Sequence, residues 1–144
     1  MISHVARTRL KDDDYRRLLE FRVALRQFLK WSEEQASAAG ITTQQHQLLL
    51  AVRGHPGLAD PTVGEIADHL LLRHHSTVEL IDRTAQAGYV TRAVDEGDRR
   101  IARVHLTAAG RTVLHDLSAA HLEELARLAP TVGRLSRGLQ PDVA

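Results

Sequence analysis

The chain has 144 residues, the size of one domain and enough to bury a core. With 3% aromatic residues, that core must be mostly Leu, Val, Ile and Ala, and a net charge of +1 means that any nucleic-acid surface must come from local placement of Arg. No cysteine is present, which excludes disulfides, thiolate zinc sites and thiol redox switches. No apolar run approaches the roughly 20 residues of a membrane span. The first residues lack the apolar stretch of a signal peptide, so a cytoplasmic location is expected. Arg dominates the basic residues, a bias that suits bidentate phosphate and guanine contacts and that genome composition also explains.

A first helix is expected from about Asp13 to Ala39. Asp12, Asp13 and Asp14 stand at its start, where negative charge favours the helix dipole. Leu18, Phe21, Leu25 and Phe28 fall on one face, and Gly40 supplies a stop. A helix this long needs something to pack on. Thr42 and Gln45 have the spacing of a capping box and open a second helix, whose buried side is Leu48, Leu49, Ala51 and Val52. The stretch His55 to Pro61 is a loop by its Pro and Gly content. Thr62 and Glu65 form another capping box ahead of a short helix with Ile66, Ala67 and Leu70. After a brief turn at Leu71 and Leu72, a fourth helix runs from about His74 to Ala87 and ends at Gly88.

Beyond Gly88 the periodicity becomes that of a hairpin. Tyr89 to Val94 reads as one strand and Arg100 to Leu106 as its return, with Asp95-Glu96-Gly97-Asp98 as the turn. Thr107 then caps a last long helix, expected to reach about Leu128. Pro130, Gly133, Gly138 and Pro141 break the pattern after it.

This order has a physical use. A helix from His74 to Ala87 is roughly 20 Å long at 1.5 Å per residue and fits a major groove about 12 Å wide. The helix before it braces it against the backbone. A hairpin with Arg at its tip reaches the neighbouring minor groove, whose potential attracts Arg.

In these segments the sequence resembles the MarR family of bacterial regulators. The resemblance is carried by Thr62-Val63-Gly64-Glu65-Ile66-Ala67, Ser76-Thr77-Val78-Glu79-Leu80-Ile81-Asp82-Arg83 and Gly88-Tyr89-Val90. Asp95-Glu96-Gly97-Asp98-Arg99-Arg100 and Leu106-Thr107-Ala108-Ala109-Gly110 complete it, the last two being the most specific. It implies a mainly α fold with a small β-hairpin wing, a winged helix-turn-helix with long N- and C-terminal dimerisation helices. On this reading residues 1–144 form one domain, with dimerisation helices at about 12–40 and 107–128 and a DNA-binding lobe at about 42–106. The resemblance also implies a homodimer on a pseudo-palindromic operator and a small-molecule effector, which together make a ligand-responsive repressor. The family usually adds a further helix to the dimer, for which Pro130 and the glycines leave little room.

The expected DNA contacts are Arg73, His74, His75, Ser76 and Thr77 at the start of the recognition helix, with Arg83 further along it and Arg99 and Arg100 in the wing. Ser76 or His75 could instead cap the helix, and Arg83 could pair with Glu79 at i, i+4. The resemblance implies that Arg100 enters the minor groove while Asp98 holds the wing in shape. Arg92 and Arg103 are weaker candidates. The resemblance implies an effector pocket between the dimerisation helices and the winged helix, with Phe28, Trp31 and His46 as candidate lining residues; the effector-binding residues themselves are unknown from the sequence.

The nine His residues raise the question of a metal. No His-Glu-x-x-His and no clean i, i+4 pair occurs, and His115 and His121 project about 120° apart on a helix. No metal or other cofactor is expected. No nucleophile–base pair or phosphate loop stands out, so an enzyme is not expected either. The competing reading is a winged-helix protein-interaction module that does not bind DNA.

Overall fold

The computed structural model describes residues 9–137. Gly138 and Pro141 lie outside the described residues. Seven elements follow one another: α1 (Asp12–Ala38), α2 (Thr43–Gly54), α3 (Val63–Leu70), α4 (His74–Gln86), β1 (Val90–Val94), β2 (Ala102–Leu106) and α5 (Ala108–Arg137). They form two compact units, Ser32–Leu122 and the residues before and after it. No described helix is long and apolar enough to cross a membrane.

The Ser32–Leu122 unit holds the core. Ile41, Leu48, Leu49, Val52, Val63, Ile66, Leu80, Ile81, Val90, Val104, Leu114 and Leu117 are buried in one cluster. Each such side chain contributes about 1.5–3 kcal/mol of transfer free energy. Both capping boxes form. Thr42 Oγ1 accepts from Gln45 N while Gln45 Oε1 accepts from Thr42 N, and Thr62 and Glu65 repeat the arrangement. α1 ends at Gly40, which takes φ +82°. α3 ends on Leu71, a non-glycine residue at φ 55°. That left-handed residue makes the sharp turn between α3 and α4.

β1 and β2 pair antiparallel, with Val90 opposite Leu106 and Val94 opposite Ala102. The loop before α3 adds a third edge that the sequence did not announce. Thr62 bridges to Arg103, and Val104 N donates to Pro61 O at 3.0 Å.

α5 corrects the expected stop near Leu128. It continues through Pro130 and Gly133 to Arg137. Proline removes one backbone hydrogen bond, a cost of about 3 kcal/mol in a helix interior, but burial one turn later offsets it. Leu135 is buried and lines a cleft with Asp13, Arg16, Arg17 and Glu20 of α1. A breaker residue is a local signal, and this tertiary contact overrides it.

Candidate nucleic-acid interface

α4 packs its Thr77, Leu80, Ile81 and Thr84 side into the core and leaves the opposite face to solvent. Its N-cap is Arg73, and no side chain caps the first turn. Ser76 and His75 therefore do not cap the helix, and the first-turn amides keep their capacity for an acceptor. Arg73, His74 and His75 are exposed, and Ser76 is half-buried.

Thr77 departs from expectation. It is 0% exposed, and its hydroxyl donates to Arg73 O at 2.9 Å. The helical period turns this residue inward, so it supports the first turn and is removed from the contact set. Arg83 is exposed and makes no ion pair with Glu79 among the described residues. Asp82, its neighbour, binds Arg92 Nη1 at 2.6 Å and ties α4 to β1, which commits Arg92 to a structural pair.

The wing is organised by two carboxylates. Asp95 Oδ2 accepts from Gly97 N and Asp98 N, both at 3.0 Å, closing an Asx-type turn. Asp98 Oδ1 accepts from Arg100 N at 3.0 Å, and its two oxygens take Arg100 Nε and Nη2, each at 3.1 Å. The Arg100 side chain is nonetheless 90% exposed, so it is aimed without being withdrawn from solvent. Arg99 beside it is also exposed. The Arg100 guanidinium holds the Asp98 carboxyl below its usual range, and Arg103 does the same for Asp95.

Arg103 was underrated by the sequence. Its Nε donates to Asp95 Oδ1 at 2.7 Å and its Nη1 to Asp60 O at 2.8 Å. It thereby braces the wing against the loop before α3. Asp95, expected as a turn residue, also anchors Arg103, and the Asp-x-Gly-Asp spacing is the local signal of its Asx-type turn. A second polar group, without a sequence signal, joins the end of α2 to α3. His55 Nε2 meets Glu65 Oε2 at 2.9 Å while its Nδ1 meets His69 Nε2 at 3.0 Å.

The three residues considered for an effector pocket each have an aromatic neighbour. His46 is buried with its ring 4.8 Å from that of His121. His121 Nδ1 donates to Leu117 O and its Nε2 accepts from Ser32 Oγ, each at 2.7 Å. Phe28 and Trp31 stack at 6.0 Å. Among the described residues no group of three or more His, Asp or Glu is placed to hold a metal ion.

Residues 39–101 match the model of the MarR family. The chain is 34% identical over 68 residues to an uncharacterized HTH-type transcriptional regulator, YsmB, of Bacillus subtilis, covering 47% of each chain. It is 38% identical over 77 residues to the transcriptional activatory protein BadR of Rhodopseudomonas palustris, covering 53% of this chain and 43% of that one. The aligned part thus spans about half the length of these curated relatives. Its fold resembles that of S. aureus MepR in a DNA complex, with a TM-score of 0.66 at 19% identity over 77% of this chain and 79% of the other. The stretch that matches the MarR family model, residues 39–101, contains the uncapped α4 and the Asp95–Arg100 turn of the wing, so this chain is similar to that family over its helix-turn-helix and the first half of its hairpin.

Proposed function

We propose that the protein is a sequence-specific DNA-binding transcriptional regulator that acts as a homodimer. The observation that carries this reading is Arg100, clasped by both oxygens of Asp98 yet 90% exposed at the wing tip. α4 enters the major groove with Arg73, His74, His75 and Ser76 foremost, and its uncapped first turn receives a phosphate. Arg83 and Arg99 add phosphate contacts, and Arg100 enters the adjacent minor groove. The MepR structure named above is a DNA complex, which supports DNA as the partner here.

A dimer is favoured by the apolar face of α1. Leu18, Phe21, Leu25 and Leu29 fall on that face and are between 37% and 52% exposed, a concentration that an isolated surface helix does not need. Two-fold symmetry then makes the operator pseudo-palindromic. A small-molecule effector regulates binding by preferring the conformation that spaces the two α4 helices wrongly. Bound over a promoter, the dimer represses by occlusion.

The test is selection of genomic fragments by the purified protein, followed by footprinting at two salt concentrations. A two-fold protected site is expected, with affinity falling roughly 0.9 log units per log unit of salt for each phosphate neutralised. A folded dimer that selects no sequence would overturn the proposal in favour of a protein-interaction module.

A further inference from the structure

A cavity of about 410 Å³ opens behind the wing, walled by the end of α2, the loop to α3, the end of β2 and the first turn of α5. Its size is that of a small-molecule site. None of the proposed DNA contacts lines it. Arg53, Arg111, His105 and Asp60 do. Arg111 Nη1 donates to Leu106 O at 3.0 Å, and neither Arg has a carboxylate partner among the described residues. The one carboxylate of the lining, Asp60, is engaged by His105 Nδ1. Two guanidinium groups thus face a polar cavity without a counter-charge of their own.

The loop segment Leu58–Asp60 is a partition. With His105 it also lines a second cavity, whose other walls include Val94, Asp95 and Arg103 of the wing. Asp60 acts on both sides of this partition. Its carboxylate faces His105, and its carbonyl accepts from Arg103, which in turn holds Asp95.

We propose that the first cavity binds the anionic oxygens of a small hydrophilic molecule, a carboxylate or a phosphate ester, and that the bound anion loosens the wing through Asp60 and Arg103. Arg53 and Arg111 donate to the anion, and His105 Nδ1–H joins them as it exchanges Asp60 for the anion. Like charge then disfavours Asp60 beside it. As Asp60 withdraws, Arg103 loses its carbonyl partner and Asp95 loses a fixed anchor. The coupling is as large as the difference in anion affinity between the two wing states. Only its effect on DNA rests on the function proposed above.

The test is a nitrogen-15 NMR titration of the full chain with inorganic phosphate and, separately, citrate at constant ionic strength. Saturable shifts are expected at the amides of Asp60, His105 and Leu106 and, through the link, at Gly97 and Asp98. The double variant Arg53→Gln, Arg111→Gln is expected to lower affinity at least about tenfold, the scale of lost charge-assisted hydrogen bonds. Asp60→Asn removes the competing charge and is expected to tighten binding severalfold, which decides the matter if the double variant misfolds. No saturable shift with either probe, or equal affinity in every variant, would overturn the site. Shifts confined to the cavity would overturn the coupling. In operator binding, the anion is expected to weaken the wild type and leave the double variant unchanged. Saturable anion binding in a chain that binds no operator would leave the site standing and remove the regulator reading instead.

Discussion

Gly110 lies so close to Tyr89 that a Cβ added to it would stand 2.1 Å from the Tyr89 carbonyl oxygen. The same carbonyl accepts from Thr107 N at 3.0 Å, while Thr107 Oγ1 donates to Gly88 O and accepts from Gly110 N. The Leu-Thr-x-x-Gly pattern is therefore the docking of the first turn of α5 onto the start of β1. Gly110→Ala is expected to destabilise the fold by about 2–3 kcal/mol through overpacking, although alanine is the better helix former. Urea unfolding measures it, and an unchanged or higher midpoint would contradict the close approach.

Arg100→Ala is expected to weaken operator binding by about 1–3 kcal/mol while leaving folding and assembly intact. The exposed pair with Asp98 adds little stability, so the loss would fall on DNA. Fluorescence anisotropy at fixed salt is the measurement, and unchanged affinity would remove Arg100 from the interface.

His46 gives a pH dependence. Burial, and then the neighbouring His121, lower its pKa below the ordinary 6.5. Below 6.5 the unfolded chain takes up a proton that the folded chain refuses, so stability falls as pH drops from 6.5 toward the folded value. The melting temperature is expected to decline over that window, and His46→Gln is expected to flatten the decline. Equal slopes in wild type and variant would locate the effect elsewhere.

Leu18→Asp with Leu25→Asp places charge on the exposed apolar face of α1. The pair is expected to convert a dimer to a monomer, seen by light scattering on a sizing column. A variant that stays dimeric at the same concentration would show that this face is not the interface.

Much of the fold was legible because its signals are local. Thr42 with Gln45 and Thr62 with Glu65 set helix starts through bonds three residues apart. Gly40 and Gly88 set helix ends through positive φ. The wing was read from alternation and a turn cluster. What escaped notice depends on distant partners. Arg103 reaches Asp60 across 43 residues, and His55 meets His69 across a loop. Thr77 lies in the first turn of α4 as expected yet turns inward, because position in the chain places a residue on a helix while packing decides which face is buried.

The sequence by itself determined the order of helices and strands and both capping boxes, since these rest on short-range hydrogen bonding and periodicity. Only the tertiary structure decided that α5 runs through Pro130, that Arg100 is aimed by Asp98 while Arg92 is consumed by Asp82, and that Asp60 joins a cavity to the wing. Those outcomes depend on which side chains meet across long separations, and a one-dimensional pattern does not carry that information.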